Sequence, residues 1–247
     1  MRTTKIEWTE RTWNPVTGCN KVSEGCLHCY AETMTRRLCA MGNWKYVNGF
    51  SPTEHPEDLQ EPYKWKKPST VFVCSMSDLF NEHISFDFID KVFSVIKDTP
   101  IHTYQILTKR AKRMEEYFND RDVPANAWIG VTVENKKALN RIESIRHLAA
   151  NVKFLSCEPL LEDLGDMNLE GINWIIVGGE SGMSARPMDE SWVLGIKKQA
   201  RQNNIPFFFK QWGTWGADKV KRNKHINGKL LEGEIIQEYP IIHDNIL

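Results

Sequence analysis

Seven short, mostly apolar runs alternate with stretches of helical periodicity, and this alternation constrains the fold more than any other feature. The runs are typical of buried parallel strands: Lys5–Trp8, Val71–Cys74, Thr103–Leu107, Ala127–Val133, Val152–Ser156, Trp174–Val177 and Pro206–Phe209. The predicted helices are Tyr30–Met41, Phe86–Lys97, Ala111–Phe118, Lys136–Ala149 and Glu190–Asn203. Strand–helix alternation predicts an α/β fold with a parallel sheet, either doubly wound or closed into a partial or full barrel.

A chain of 247 residues can form one large α/β domain or two small ones, and we expect a single domain over residues 1–247. Residues 43–68 are interpreted as an insertion and residues 213–247 as a C-terminal appendage, in which Asn227-Gly228 predicts a hairpin turn. No apolar run approaches the ~20 residues of a membrane span. The charged start lacks the apolar core of a signal peptide, so we expect a cytoplasmic protein without a membrane partner.

Ionisable and polar residues follow each predicted strand. They are the loop after the first strand; Ser75, Ser77 and Asp78; Thr108, Lys109 and Arg110; Glu134 and Asn135; Cys157 and Glu158; Gly178, Gly179 and Glu180; and Lys210 and Gln211. Because the carboxyl ends of parallel strands meet at one rim, we expect a shared pocket there. The alternative, that each strand simply ends in a polar loop, stays open.

Three of the six cysteines, Cys19, Cys26 and Cys29, cluster after the first predicted strand with the spacing C-x6-C-x2-C. Gly18 and Gly25 each precede a cysteine and can supply turn geometry. Three thiolates leave one position of a four-site centre open, as catalytic metal sites do.

Three interpretations of this cysteine loop compete. A zinc ion would take a fourth ligand from His28 or Cys39, and a Cys26–Cys29 redox pair would leave Cys19 idle. A 4Fe–4S cluster with three thiolates and one open iron fits best.

The cysteine loop, placed ahead of a parallel β/α series, resembles the cluster loop of radical S-adenosylmethionine (SAM) enzymes, although its first gap is longer than in that family's commonest pattern. Further segments resemble a phage- and bacteria-associated family of radical-SAM-like proteins with a three-Cys motif. They include Thr12–Cys19, Gly25–Glu32, Ser75–Phe80, Leu107–Arg110, Trp128–Glu134, Ser156–Leu160, Val177–Ser181 and Phe209–Gly213. The resemblance implies a partial or full parallel (β/α) barrel of the radical SAM type.

The resemblance also implies a mechanism. Cys19, Cys26 and Cys29 would hold the cluster, whose open iron binds SAM, and an external donor would supply the electron for SAM cleavage. The deoxyadenosyl radical would then abstract a hydrogen atom from the substrate. By position, His28 would lie near the adenine, Ser75 and Asp78 near the methionyl amine, and Glu134 and Asn135 near the ribose. Helix capping is the open alternative for Asn135.

The remaining residues at the strand ends are assigned to the substrate. We expect Lys109, Glu158 and Cys157 to act in catalysis, and Arg110, Glu180, Lys210 and Gln211 to bind substrate. The pair Lys109-Arg110 could bind a phosphate or a carboxylate. The open alternative is that the two residues form an ordinary solvated helix start. Cys157 could donate a hydrogen atom to a substrate radical, or serve as a buried small hydrophobe.

The charge balance limits the partners. Lys+Arg and Asp+Glu both total 32, which excludes a globally basic nucleic-acid binder. Residues 210–229 nevertheless hold six basic residues beside Trp212 and Trp215: Lys210, Lys219, Lys221, Arg222, Lys224 and Lys229. Lys64, Lys66 and Lys67 similarly flank Trp65. Such stretches suit single-stranded or flipped-base nucleic acid, and an ordinary solvated loop is the open alternative.

These observations favour a radical SAM enzyme that modifies an unidentified substrate, with nucleic acid or a nucleotide preferred to a peptide. The alternative is a non-enzymatic zinc or iron–sulfur module that acts through a protein partner.

Overall fold

The computed structural model describes residues 4–241. The strands are β1 (Arg11–Trp13), β2 (Val16–Thr17), β3 (Thr53–Glu54), β4 (Thr70–Val73), β5 (Thr103–Thr108), β6 (Ala127–Thr132), β7 (Val152–Cys157), β8 (Trp174–Gly178), β9 (Phe207–Gln211), β10 (Leu230–Leu231) and β11 (Glu234–Ile235). The helices are α1 (Tyr30–Ala40), α2 (Phe86–Asp98), α3 (Ala111–Phe118), α4 (Arg141–Arg146), α5 (Glu190–Gln202) and α6 (Lys224–Asn227). The two ends of the predicted domain, 1–3 and 242–247, lie outside the described residues.

Seven strands form a parallel sheet in the order β1-β4-β5-β6-β7-β8-β9 and alternate with helices. This arrangement confirms the α/β fold class with a parallel sheet. Every residue of β6 and of β8 is buried. Complete burial explains why the central strands are continuous apolar runs instead of alternating ones.

Unit 1, one of two compact units, comprises Met1–Thr132 and Asn140–Asn151. Helix α2 begins where the Ser85 hydroxyl accepts a hydrogen bond from the Phe88 N–H at 3.2 Å. Its buried face carries apolar residues three and four positions apart, among them Phe88, Ile89, Val92, Phe93 and Ile96. This spacing buries one side of the helix and leaves the other to solvent.

Unit 2 comprises Val133–Leu139 and Val152–Leu247 and contains β7, β8, β9 and α5. A segment near the end of the described chain pairs with β9. The Phe209 N–H donates to the Ile236 carbonyl at 2.7 Å, and the Glu238 N–H donates to the Phe207 carbonyl at 3.2 Å.

The first strand lies later in the chain than predicted. Residues 5–8 form no strand, and Arg11–Trp13 pairs with β4 instead. Trp13 is fully buried, whereas Arg11 and Thr12 are partly exposed. Because β1 stands at one end of the strand order, it tolerates polar residues that an apolar-run criterion rejects.

The predicted helix Lys136–Ala149 is wrong in extent. A short 3-10 helix, Lys136–Ala138, is followed by a turn, and α4 begins only at Arg141. Asn135 caps the first piece through its side chain, and the break falls at Asn140, a residue with low helix propensity.

The predicted hairpin turn at Asn227-Gly228 is also misplaced. Asn227 ends α6, and the hairpin forms between β10 and β11. Its two turn residues, Glu232 and Gly233, have φ values of +52° and +83°. A two-residue turn with positive φ at both positions matches the right-handed twist of the strands.

None of the helices among residues 4–241 is long and apolar enough to cross a membrane.

Candidate functional site

The cysteine loop starts at a backbone position that only glycine fits. Gly18 has a φ of +74°, and a Cβ atom there would lie 2.2 Å from the carbonyl oxygen of Ser51. The Gly18 N–H donates to the Met76 carbonyl at 3.1 Å, and the Cys19 N–H donates to the Phe50 carbonyl at 2.9 Å. These contacts hold the first cysteine beside the segment that follows β4.

The three clustered cysteines are free, half-buried thiols. Cys26 ends the 3-10 helix Glu24–Cys26, within which Gly25 lies, and Cys29 is the N-cap residue of α1. The Cys29 thiol makes no capping hydrogen bond. Cys26 and Cys29 are thus placed by the short 3-10 helix and by the start of α1.

The surroundings of two of these thiols shift their pKa values in opposite directions. Burial raises the pKa of the Cys26 thiol, but the Lys109 ammonium and nearby hydrogen bonds outweigh burial, and the net pKa is lowered. Burial and then the Asp78 carboxylate raise the pKa of the Cys19 thiol, which Arg110 only partly offsets. Lys109 therefore stands where it stabilises a Cys26 thiolate.

Asp78 is buried and anchors a polar network at the ends of β4 and β5. Its Oδ1 accepts from the Thr108 hydroxyl at 2.7 Å and from the Phe80 N–H at 3.1 Å. Its Oδ2 accepts from the Lys109 N–H at 3.0 Å. The carboxylate thus joins two neighbouring strand ends.

Arg110 links Asp78 to the cysteine loop, and its side chain is only 7% exposed. Nη1 lies 3.1 Å from Asp78 Oδ2 and 3.5 Å from Cys19 Sγ. Nε donates to Glu82 at 2.7 Å, and Nη2 donates to the side-chain oxygen of Asn20 at 2.6 Å. The residue predicted as a substrate clamp is therefore engaged by its own chain.

Sequence reasoning missed the amide side chains of this network. Asn81 Nδ2 lies 3.6 Å from Cys19 Sγ and donates to the Asn20 side chain at 2.6 Å. Asn14 Oδ1 accepts from the Ser75 hydroxyl at 3.1 Å. Their position beside predicted strand ends is the signal that could have revealed them.

The donor set fits an iron–sulfur cluster. Within residues 4–241, no group of three or more His, Cys, Asp or Glu side chains is arranged to hold a single metal ion. A 4Fe–4S cluster does not require that convergence, because each cysteine binds a different iron. Three free thiols in one loop, with N–H donors at the Cys19 sulfur, match its chemistry. The exposed His28 immediately precedes the third thiol.

In unit 2, the predicted ribose contacts are buried. Glu134 is 0% exposed, and its carbonyl accepts from the Leu161 N–H at 2.9 Å. The Asn135 side chain accepts from the Ala138 N–H at 3.2 Å. The capping role that the sequence left open for Asn135 is therefore present.

Cys157 and Glu158 differ in their exposure to solvent. Cys157 is fully buried, and burial followed by the nearby Glu134 carboxylate raises its pKa to about 12. Glu158 is partly exposed and pairs with Lys210, whose Nζ lies 2.7 Å from Oε1 and 2.8 Å from Oε2. The structure thus brings together two predicted site residues and encloses the third.

Glu180 is buried and bound by an arginine that the sequence analysis missed. Arg186 Nη2 lies 2.6 Å from Glu180 Oε1, and Arg186 Nε lies 2.9 Å from Oε2. Gln211 donates to the Ser181 hydroxyl at 3.3 Å. Both predicted substrate residues therefore have partners within unit 2.

The basic C-terminal stretch is partly neutralised. Ion pairs form between Lys210 and Glu158, between Lys219 and Asp189, and between Arg222 and Asp218. Trp212 is 2% exposed, and the Lys221 ammonium lies 5.8 Å from the ring centre of Trp215. Trp215 is thus the tryptophan of this stretch that remains partly accessible.

Several solved structures resemble the chain at low sequence identity. Spore photoproduct lyase complexed with dinucleoside spore photoproduct is 13% identical, with a TM-score of 0.47, and the match covers 81% of this chain and 65% of that chain. A mutant with bound AdoMet and dinucleoside spore photoproduct is 13% identical, with a TM-score of 0.45 and the same coverage. Another mutant of spore photoproduct lyase is 12% identical, with a TM-score of 0.46, and the match covers 91% of this chain and 73% of that chain. The chain spans about 65% of the length of the first two structures.

No curated protein matches the chain. A family model described as "Protein of unknown function (DUF5131)" matches residues 3–240, nearly the whole chain. The three-Cys motif and the phage association stay predictions from the sequence resemblance. Since the match covers both units, the chain belongs to the DUF5131 family of proteins of unknown function.

Proposed function

We propose that the protein is a radical SAM enzyme that binds a 4Fe–4S cluster through Cys19, Cys26 and Cys29. The observation that carries this proposal is the set of three half-buried free thiols in one loop after β1 of a parallel α/β sheet. When bound, a 4Fe–4S cluster with one open iron would supply the electron that breaks the S–C5′ bond of SAM, giving methionine and a deoxyadenosyl radical that would take a hydrogen atom from the substrate.

Residues of unit 1 supply contacts for SAM. The Ser75 hydroxyl donates to Asn14, so its lone pairs are left as acceptors for the methionyl ammonium of SAM. The exposed His28, next to Cys29, is the proposed neighbour of the adenine. Asp78 is occupied by Arg110 and backbone N–H groups, so its contribution to SAM binding is indirect.

Anaerobic purification and cluster reconstitution test this function. We expect about four irons per chain and SAM-dependent formation of 5′-deoxyadenosine under reducing conditions. Cys26→Ala should lose both, whereas Cys39→Ala, which removes an exposed thiol of α1, should lose neither. One tightly bound zinc without iron would overturn the proposal in favour of the non-enzymatic module. A full cluster that never cleaves SAM would overturn the enzymatic part.

We further propose that the substrate is a nucleic acid or a nucleotide. The support is the Lys221 ammonium over the Trp215 ring, with Lys224 exposed nearby in sequence. Fluorescence anisotropy with a single-stranded oligonucleotide measures this binding. Lys221→Ala should weaken it and reduce its salt slope by about 1. Lys198→Ala, which removes an exposed lysine of α5, is the matched control, and equal effects of both variants would contradict the proposal.

A further inference from the structure

Arg110 is fully engaged by unit 1 of its own chain. Each of its three guanidinium nitrogens contacts an oxygen, on Glu82, Asp78 or Asn20, and Nη1 also faces Cys19 Sγ at 3.5 Å. The side chains of Arg110 and Asp78 are only 7% and 9% exposed. An arginine held at every nitrogen and shielded from solvent is poorly placed to clamp a substrate anion.

The same side chain is well placed to act on the first cysteine. Nη2 donates to both the carbonyl and the side-chain oxygen of Asn20, at 3.1 and 2.6 Å, so it fixes the residue next to Cys19. Asn81 adds a second N–H, 3.6 Å from Cys19 Sγ. Two nitrogen donors on different elements therefore converge on one sulfur.

The hydrogen-bond donors at Cys26 are local in sequence, although the Lys109 ammonium also acts on this thiol. The Cys26 Sγ lies 3.7 Å from the Ser23 hydroxyl, within the same turn of chain. The Cys19 sulfur instead receives donors from Arg110 and Asn81, which lie 91 and 62 residues away in sequence. Long-range donors of this kind are how proteins tune a metal centre through its ligands.

We propose that Arg110, oriented by Asp78, is a positioning residue that holds Cys19 and raises the reduction potential of the cluster bound there. The inference rests on the proposed function, since it requires the cluster. One-electron reduction adds negative charge to the cluster and its cysteine sulfurs. A guanidinium and an amide N–H aimed at one of those sulfurs stabilise the reduced form more than the oxidised form.

A redox titration of the reconstituted protein, followed by electron paramagnetic resonance, tests the role of Arg110. Arg110→Gln removes the charge, and we expect the ratio of reduced to oxidised cluster at a fixed potential to fall about tenfold. For a one-electron couple this equals a midpoint shift of about 59 mV to more negative potential. Arg110→Lys keeps the charge without the planar fork and should recover part of the shift.

Asn81→Asp is a second variant, in case Arg110→Gln fails to fold because it leaves Asp78 without its cation. It keeps the oxygen that accepts from the His83 N–H at 3.1 Å, but replaces the donor that faces Cys19. We expect the midpoint potential to move in the same negative direction.

Arg113→Gln is the matched control on α3. Its guanidinium contacts the Ile84 carbonyl at 2.7 Å and lies 4.3 Å from the ring centre of Phe86, so the midpoint potential should stay unchanged. An unchanged potential in folded Arg110→Gln and Asn81→Asp proteins with full clusters would overturn this inference and leave the proposed function intact. Failure of the wild-type chain to bind any cluster would instead overturn the proposed function.

Discussion

The side chains of Glu158 and Lys210 form an ion pair across β8, the strand that lies between β7 and β9. Glu158 follows β7 and Lys210 lies in β9, with β8 between them in the sheet. The pair passes close to Gly178 at the end of β8, where a Cβ atom would lie 3.2 Å from Glu158 Cδ. A glycine at this point leaves room for the ion pair.

A double-mutant cycle should therefore measure a favourable coupling between Glu158 and Lys210. Both side chains are 20% exposed, so we expect a coupling of about 1 kcal/mol in the free energy of unfolding of the Glu158→Gln and Lys210→Met pair. The more exposed pair of Lys219 and Asp189 is the comparison, and its coupling should be smaller. Equal couplings would contradict the argument from burial.

Gly18→Ala should destabilise the protein far more than Gly42→Ala. The two glycines have nearly equal φ values, +74° and +72°, but only a Cβ at Gly18 would collide, 2.2 Å from the Ser51 carbonyl oxygen. Positive φ alone costs about 1–2 kcal/mol for alanine. We expect that cost at Gly42 and about 2 kcal/mol more at Gly18, measured by urea unfolding. Gly18→Ala should also bind less iron on reconstitution, because it displaces Cys19.

The thiols should react in two classes in the folded, cluster-free protein. Cys19, Cys26, Cys29 and Cys39 are half-buried or exposed, whereas Cys74 and Cys157 are buried. Burial followed by the Glu134 carboxylate raises the pKa of Cys157 to about 12, so little thiolate forms near neutral pH. Titration with a disulfide reagent should give four prompt thiols and six after denaturation. Prompt reaction of Cys157, found by mass spectrometry, would contradict this assignment.

Acid should loosen the segment that pairs with β9. Burial raises the pKa of Glu238, but Arg201 and the Phe207 N–H outweigh burial and lower it from its ordinary value of 4.5. A lowered folded-state pKa means that this contribution to stability is present above pH 4.5 and is lost as the pH falls through the folded-state pKa. Unfolding at a series of pH values should show a weaker acid dependence in Glu238→Gln.

Fluorescence is a second readout of this loosening. The indole N–H of Trp174 donates to the Glu238 carbonyl at 2.8 Å, and its ring lies 5.5 Å from that of Tyr239. Tryptophan emission should therefore change with the same pH midpoint. An acid dependence identical in wild type and Glu238→Gln would assign the effect to other groups.

Local pattern was sufficient for most elements of the fold. Helix α3 matches its predicted bounds, and six of the seven predicted strands overlap observed ones. The exceptions share a physical cause. Arg11–Trp13 is a polar strand at the end of the sheet order, and the helix predicted from Lys136 begins as a 3-10 helix capped by Asn135 and breaks at Asn140. In both places, pairing or capping outweighed apolar periodicity.

By itself, the sequence determined a parallel α/β fold and a loop with three cysteines, because strand burial and cysteine spacing are local properties of the chain. Only the tertiary structure decided the partners of each side chain. Arg110 faces the sulfur of Cys19, 91 residues away, and Cys157 is enclosed although its neighbour Glu158 reaches Lys210. Such contacts depend on the register between strands and on the packing of loops at their ends. Neither is encoded in any local stretch of residues.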